Sequence, residues 1–425
     1  MAEPILIRGA RQLLTLRGTP YSRRAHSLSD LAVIPDGAVL IRDGRIHSVG
    51  PSRRLENLLE ARNVQVIEAH GCVVMPGFVD PHTSLISGPP RVTEFEMRLL
   101  GASLEESRVL SDGLQEQVRN VRSLPARRLE LQARSMLLRC LRHGTTTLEA
   151  KTGYGLDDCG EMKSLRVLEE LQSCPITVVS TWFGGRALPH EFTGDADGYL
   201  QFLIGEMIPR VAKRRTIPYA DLDPAACGFT MQQSLQFLRS VRMSGLIPRV
   251  HAALHEADST VDVAVALQAI SVSHCNHITD SQIEQLRDAA TIAVLLPGTA
   301  FHLRLSQLAP ARALIEGGAA VALGSGYDPL LSPTCNMQMV LSLACNQMNM
   351  SPAEAIHAST FNAACAAGVE RETGSLEAGK YADLQILTVP DYREIPYHFG
   401  MNLVSTVIRR GEIVQQETVP EWRVA

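Results

Sequence analysis

The chain has 425 residues, more than one average domain needs, with 45% hydrophobic and 20% charged residues, a balance that excludes a disordered or fibrous protein. A net charge of −5 gives no sign of nucleic-acid binding, and no apolar run approaches the ~20 residues of a membrane span. The start Met1-Ala2-Glu3-Pro4-Ile5-Leu6 lacks the basic and apolar regions of a signal peptide, and nine cysteines are scattered without a Cys-x-x-Cys pair, so a cytoplasmic protein with reduced thiols is expected.

The first ~70 residues read as short strands, at 5–8, 37–41 and 45–49, with Asp43-Gly44 as a hairpin turn. The apolar run 73–79 reads as one buried strand leading into Asp80-Pro81-His82-Thr83. Further strands are expected at 145–150, 176–181, 219–222, 247–251, 269–274, 291–296 and 320–324, separated by helical patterns such as 126–142 and 332–349. Eight β/α units argue for a closed parallel barrel, with a doubly wound open sheet as the alternative. Strands at 382–387, 404–408 and 412–414 resemble the N-terminal ones in pattern. The two ends together predict one small sheet domain from residues 1–74 and 373–425, and the middle, 75–372, is the barrel.

In a barrel of this kind the chemistry sits where the strands end. His82, Glu149, Lys151, His251 and His274 all fall at or just past such ends. A His-x-His pair closing the first strand would put two imidazoles on one face, since side chains repeat every second residue, and two such imidazoles grip a metal. Here His82 is followed two residues on by Ser84.

Several stretches carry a family resemblance: Pro76-Gly77-Phe78-Val79-Asp80-Pro81-His82-Thr83, Thr152-Gly153-Tyr154-Gly155-Leu156, Leu295-Leu296-Pro297-Gly298-Thr299-Ala300-Phe301 and Gly374-Ser375-Leu376-Glu377-Ala378-Gly379-Lys380. The chain resembles the imidazolonepropionases of the amidohydrolase superfamily over nearly its whole length. The resemblance implies a (β/α)8 TIM-like barrel with a small β-sandwich domain. It also implies a hydrolase of C–N bonds in cyclic amides, acting in histidine degradation with one zinc or iron. Carried over residue by residue, it makes His82 and His251 metal ligands and His274 a catalytic residue. Ser84 and Gly326 occupy the positions of the two remaining metal ligands. Arg91 and Tyr154 correspond to substrate-binding residues, Arg186 stands where the family has a histidine, and Asp328 where it has an asparagine. A glutamine is replaced by Leu254 and a glutamate by Ala225, while Leu330 and Leu331 make the mouth more apolar.

A catalytic zinc takes about three protein ligands plus water, and lowering the pKa of that water is worth on the order of 12 kcal/mol. His82 and His251 alone form a partial site, which Asp328, His255, Glu256, Cys275 or His277 would have to complete. Two functional classes follow: a metal-dependent hydrolase with a rebuilt centre, and a non-catalytic descendant without cofactor that binds a small anion or a partner protein. The arginines Arg91 and Arg186 favour a carboxylate ligand. A homodimer is expected by analogy with the family.

Overall fold

The computed structural model describes residues 4–18, 20–103, 106–107 and 113–416. The N-terminal segment supplies β1 (Ile5–Leu14), β2 (Val33–Arg42), β3 (Arg45–Pro51), β4 (Gln65–Glu68) and β5 (Val73–Pro76). β2 and β3 turn through Asp43 and Gly44, at φ 51° and 75°, the left-handed pair that a tight hairpin requires. The long β1 pairs with β2 along one edge and with β4 and then β5 along the other.

The middle of the chain builds β6 (Phe78–Thr83), β7 (Thr145–Lys151), β8 (Thr177–Gly185), β9 (Tyr219–Leu222), β10 (Ile247–Ala252), β11 (Ser271–His274), β12 (Ile292–Leu295) and β13 (Val321–Leu323). They lie in sequence order, each parallel to the next. The first and last of these strands meet just beyond their regular portions. Thr83 bridges Tyr327 in parallel, and the Ser84 N–H donates to the Tyr327 carbonyl at 2.7 Å. Buried Asp80 accepts from the Ser325 N–H at 2.9 Å and from its hydroxyl. These contacts join the two ends of the sheet into a barrel and rule out the doubly wound alternative. After the barrel, β14 (Leu384–Leu387), β15 (Val404–Arg409) and β16 (Glu412–Gln416) extend the terminal sheet, with β14 antiparallel to β5. This mixed sheet is the small domain expected from the two ends.

The run 73–79 is a correction: it is two strands in two sheets, divided at Gly77. A Cβ at Gly77 would lie 2.2 Å from the Thr146 hydroxyl oxygen, so glycine lets the chain pass from the terminal sheet to the barrel against β7. Outside the strands, helix Ala126–Arg142 buries Leu129, Ala133, Leu137, Cys140 and Leu141, one stripe at helical spacing. The pattern at 332–349 is helical only over Met337–Met348, because the Asn336 side chain accepts from the Gln338 and Met339 N–H groups and starts the helix there. All nine cysteines are unpaired. Among the described residues no helix is long and apolar enough to cross a membrane.

Candidate active site

Strand periodicity builds the floor of the site. Asp80 and His82, Glu149 and Lys151, Arg249 and His251, and Ser271 and Ser273 are i, i+2 pairs that share a face of their strands, and Asp223 stands two residues after Asp221, one position past the end of β9. The outer members His82, Asp223 and His251 line a cavity of about 590 Å3 at the C-terminal end of the barrel. Beneath it lies a fully buried cluster of four charges. Lys151 Nζ contacts Glu149 Oε1 at 2.7 Å and Asp221 Oδ2 at 2.6 Å, and Arg249 Nε approaches Glu149 Oε1 at 3.2 Å. Two cations face two carboxylates, which is how so many charges can be buried together. Asp221 Oδ2 also meets His251 Nε2 at 3.1 Å. Burial alone would raise the Asp221 pKa, but Lys151 and His251 outweigh it and hold the carboxyl well below its usual range.

Three imidazoles meet above this cluster. Ring centroids of His82 and His251 are 4.8 Å apart, His251 and His274 5.2 Å, and His82 and His274 5.8 Å. His82 Nδ1 meets the Ser273 hydroxyl at 3.0 Å. Burial holds His82 and His274 well below the ordinary histidine range; Lys151, among other neighbours, pushes both in the same direction. Both rings are therefore neutral at neutral pH. His274 and Cys275 sit at φ 78° and 58°, a strained strand end of the kind found at functional sites.

A second polar cluster spans the mouth. Arg186, just past β8, donates from Nη2 to Asp328 Oδ2 at 2.8 Å and to the Tyr154 hydroxyl at 2.6 Å. Its Nη1 lies 3.3 Å from Ser84 Oγ, and its guanidinium carbon stands 4.0 Å from the centre of the Tyr154 ring. The Tyr154 hydroxyl donates to Asp328 at 2.8 Å. The loop carrying Tyr154 is fixed by buried Glu161, whose Oε1 accepts from the Gly153, Gly155 and Leu156 N–H groups.

The structure thus brings together His82, Ser84, Arg186, His251, His274, Gly326 and Asp328 on one cavity, with Tyr154 behind Arg186. Arg91 stands apart. Its guanidinium pairs with Glu94 at 2.7 Å and with Glu116, while Glu94 and Arg98 line the cavity. Asp80, Asp221, Asp223 and Arg249 were not singled out from sequence, although each is a polar residue two positions from another in an otherwise apolar strand, a usable signal.

The donors present do not fit the divalent metal that the resemblance implies. Among the described residues no set of three or more histidine, cysteine, aspartate or glutamate side chains is placed to hold a metal ion. Asp221 is shared by Lys151 and His251. Asp328 is taken by Arg186, Tyr154 and the N–H groups of Leu330 and Leu331. Buried Cys275 is a thiol pushed up to about 12. Gly326 has φ 63°, and a Cβ there would meet the Thr299 hydroxyl at 2.9 Å, so a carboxylate at that position is not simply reinstated.

Comparison with known proteins agrees with this architecture. A sequence profile of the amidohydrolase family matches residues 243–414. The chain is 40% identical to an imidazolonepropionase of Symbiobacterium thermophilum over 416 residues, covering 97% of each protein. It is 39% identical to one from Brevibacillus brevis over 421 residues, 98% of this chain and 99% of that one. A crystal structure of a triazine hydrolase variant superposes with a TM-score of 0.71 at 18% identity, covering 97% of this chain and 95% of the other. An adenosine deaminase from Xanthomonas campestris with bound zinc gives 0.69 at 18%, covering 97% and 93%. At that identity the two structures speak for the fold alone, whereas the full-length relatives speak for descent: the chain belongs to the imidazolonepropionase family of the amidohydrolases.

Proposed function

We propose that this chain hydrolyses the ring C–N bond of a small, carboxylate-bearing cyclic amide, with imidazolone propionate, the compound its relatives are named for, as the first substrate to test. Full-length kinship supports the substrate class. The observation that carries the chemistry is the buried Asp221–His251 pair at the cavity floor. With Nε2–H donated to Asp221, the basic nitrogen of His251 is Nδ1, the tautomer logic of an Asp-oriented general base. Water's oxygen bonds to the carbonyl carbon as His251 takes a proton; the ring C–N bond then breaks, and the proton passes to the leaving nitrogen. Arg186 supplies fixed positive charge for a substrate anion or a developing oxyanion. Leu254, Leu330 and Leu331 line the cavity as apolar cover. No step of this reading runs through zinc or iron, whose ligands the donor set does not supply. The reading places the protein in the cytoplasm, where its unpaired thiols stay reduced. The non-catalytic alternative has no observation of its own in its favour.

The test is loss of the imidazolone ultraviolet band on incubation with purified protein. His251→Gln is expected to lower the rate by ~10²–10⁴. Absence of turnover by the wild type, under conditions where a bacterial relative turns over, sinks the proposal.

A further inference from the structure

Arg186 is a buried guanidinium whose partners are all side chains of the site. Its ion pair joins the loop after β8 to the loop after β13, across the mouth of the barrel. Tyr154 closes the third side by hydrogen bonding to both members of the pair. Its other terminal nitrogen is directed at Ser84, the position from which a second imidazole would reach a metal. Lower down, Lys151 and Arg249 are balanced by Glu149 and Asp221. Each cluster balances its charge internally, three cations against three carboxylates, with no ion added. A divalent ion at the imidazoles would sit beside Lys151 and Arg186 in a low-dielectric interior; of the nearby carboxylates, Asp221 and Asp328 are committed to those cations, and Asp223 accepts from the Ala226 N–H at 3.0 Å.

We propose that the Arg186 guanidinium is the resident cation of this cavity: held by Asp328, Tyr154 and Ser84, it takes the place of a metal centre and keeps divalent ions out. Its part in turnover rests on the hydrolytic reading above; the exclusion of metal does not.

The experiment is metal analysis and calorimetric titration with zinc on full-length protein purified without chelator. Wild type is expected to carry less than ~0.1 zinc per chain and to show no saturable binding. Ser84→His adds a fourth imidazole beside His82, His251 and His274, yet is expected to stay empty while the guanidinium is present. Adding Arg186→Gln should raise zinc affinity by at least ~10–100-fold, and adding Arg186→Lys, which keeps the charge, should not. Where Arg186→Gln fails to fold, Arg186→Gln with Asp328→Asn removes both partners of the buried pair and carries the same comparison. A wild-type protein holding one metal per chain overturns the proposal, as does Ser84→His binding zinc as tightly with Arg186 as without it. Turnover by the wild type in the presence of chelator that falls in Arg186→Gln adds Arg186 to the reaction. Absence of turnover sinks the hydrolytic reading and leaves the zinc result standing.

Discussion

At the scale of single residues, the site is governed by how buried charges are compensated. Lys151 is the only ammonium that touches both Glu149 and Asp221 among the contacts described. Lys151→Met removes it and leaves both carboxylates buried with less compensation, a change expected to cost about 3–5 kcal/mol. Urea unfolding measures this, and Lys151→Met combined with Glu149→Gln should recover part of the loss. An unchanged midpoint would mean that Arg249 suffices alone. His357 is the opposite case. It is fully buried, packs edge-on to Phe361 at 5.9 Å, and neither ring nitrogen has a hydrogen-bond partner. Burial first, and Arg23 second, push it down to about 3. Its folded pKa lies below the unfolded value of about 6.5, so the unfolded chain binds the proton more tightly between these limits. Stability from this group is complete above about pH 6.5 and is lost as pH falls toward 3, by about 2 kcal/mol at pH 5. His357→Leu should therefore flatten the melting temperature between pH 7 and pH 5, and parallel profiles of variant and wild type would exclude this residue as the cause.

At the scale of elements, the decisive feature is the break at Gly77. Two residues of one apolar run belong to different sheets on either side of it: Pro76 pairs with Leu384 in the terminal sheet, and Phe78 with Thr145 in the barrel. Gly77→Ala puts a methyl into the Thr146 side chain and is expected to cost about 1–3 kcal/mol, the usual penalty for overpacking. Denaturant midpoints measure it, and Thr146→Ser in the same background should return some stability by removing the methyl that is 2.3 Å from the new carbon. The apolar pattern of 73–79 could not disclose this division, because a buried run reads the same whether one sheet or two bury it. By contrast the hairpin at Asp43-Gly44 was legible, since the turn chemistry is local.

At the scale of the molecule, the terminal sheet and the barrel share a core. Leu14, Leu16, Val73, Met75, Leu387, Val404 and Val407 of the sheet domain pack in one cluster with barrel residues such as Leu141 and Leu148. Hydrogen bonds tie them further, through Gly77 N–H to Asp383 O at 3.1 Å and Leu403 N–H to the Gln338 side-chain oxygen at 3.0 Å. Shared packing of this kind argues for one cooperative unit. Calorimetry is expected to give a single unfolding transition with coincident loss of far-ultraviolet circular dichroism and of near-ultraviolet signal. Two resolved transitions would show that the domains unfold separately.

What the sequence determined by itself was whatever depends on local pattern. The β/α alternation and the strands sharing one small domain could be read from periodicity and turn residues, and the loss of an imidazole at Ser84 from a motif three residues long. Tertiary structure decided what depends on distance between segments far apart in the chain. The union of Asp80 with Ser325 closes the barrel, and Lys151 reaches Asp221, and Arg249 reaches Glu149, only because three strands align. Arg186 could be read as a positive charge, but its commitment to Asp328, 142 positions away, could not. Charge compensation is a property of the folded interior, and no spacing along the chain encodes it.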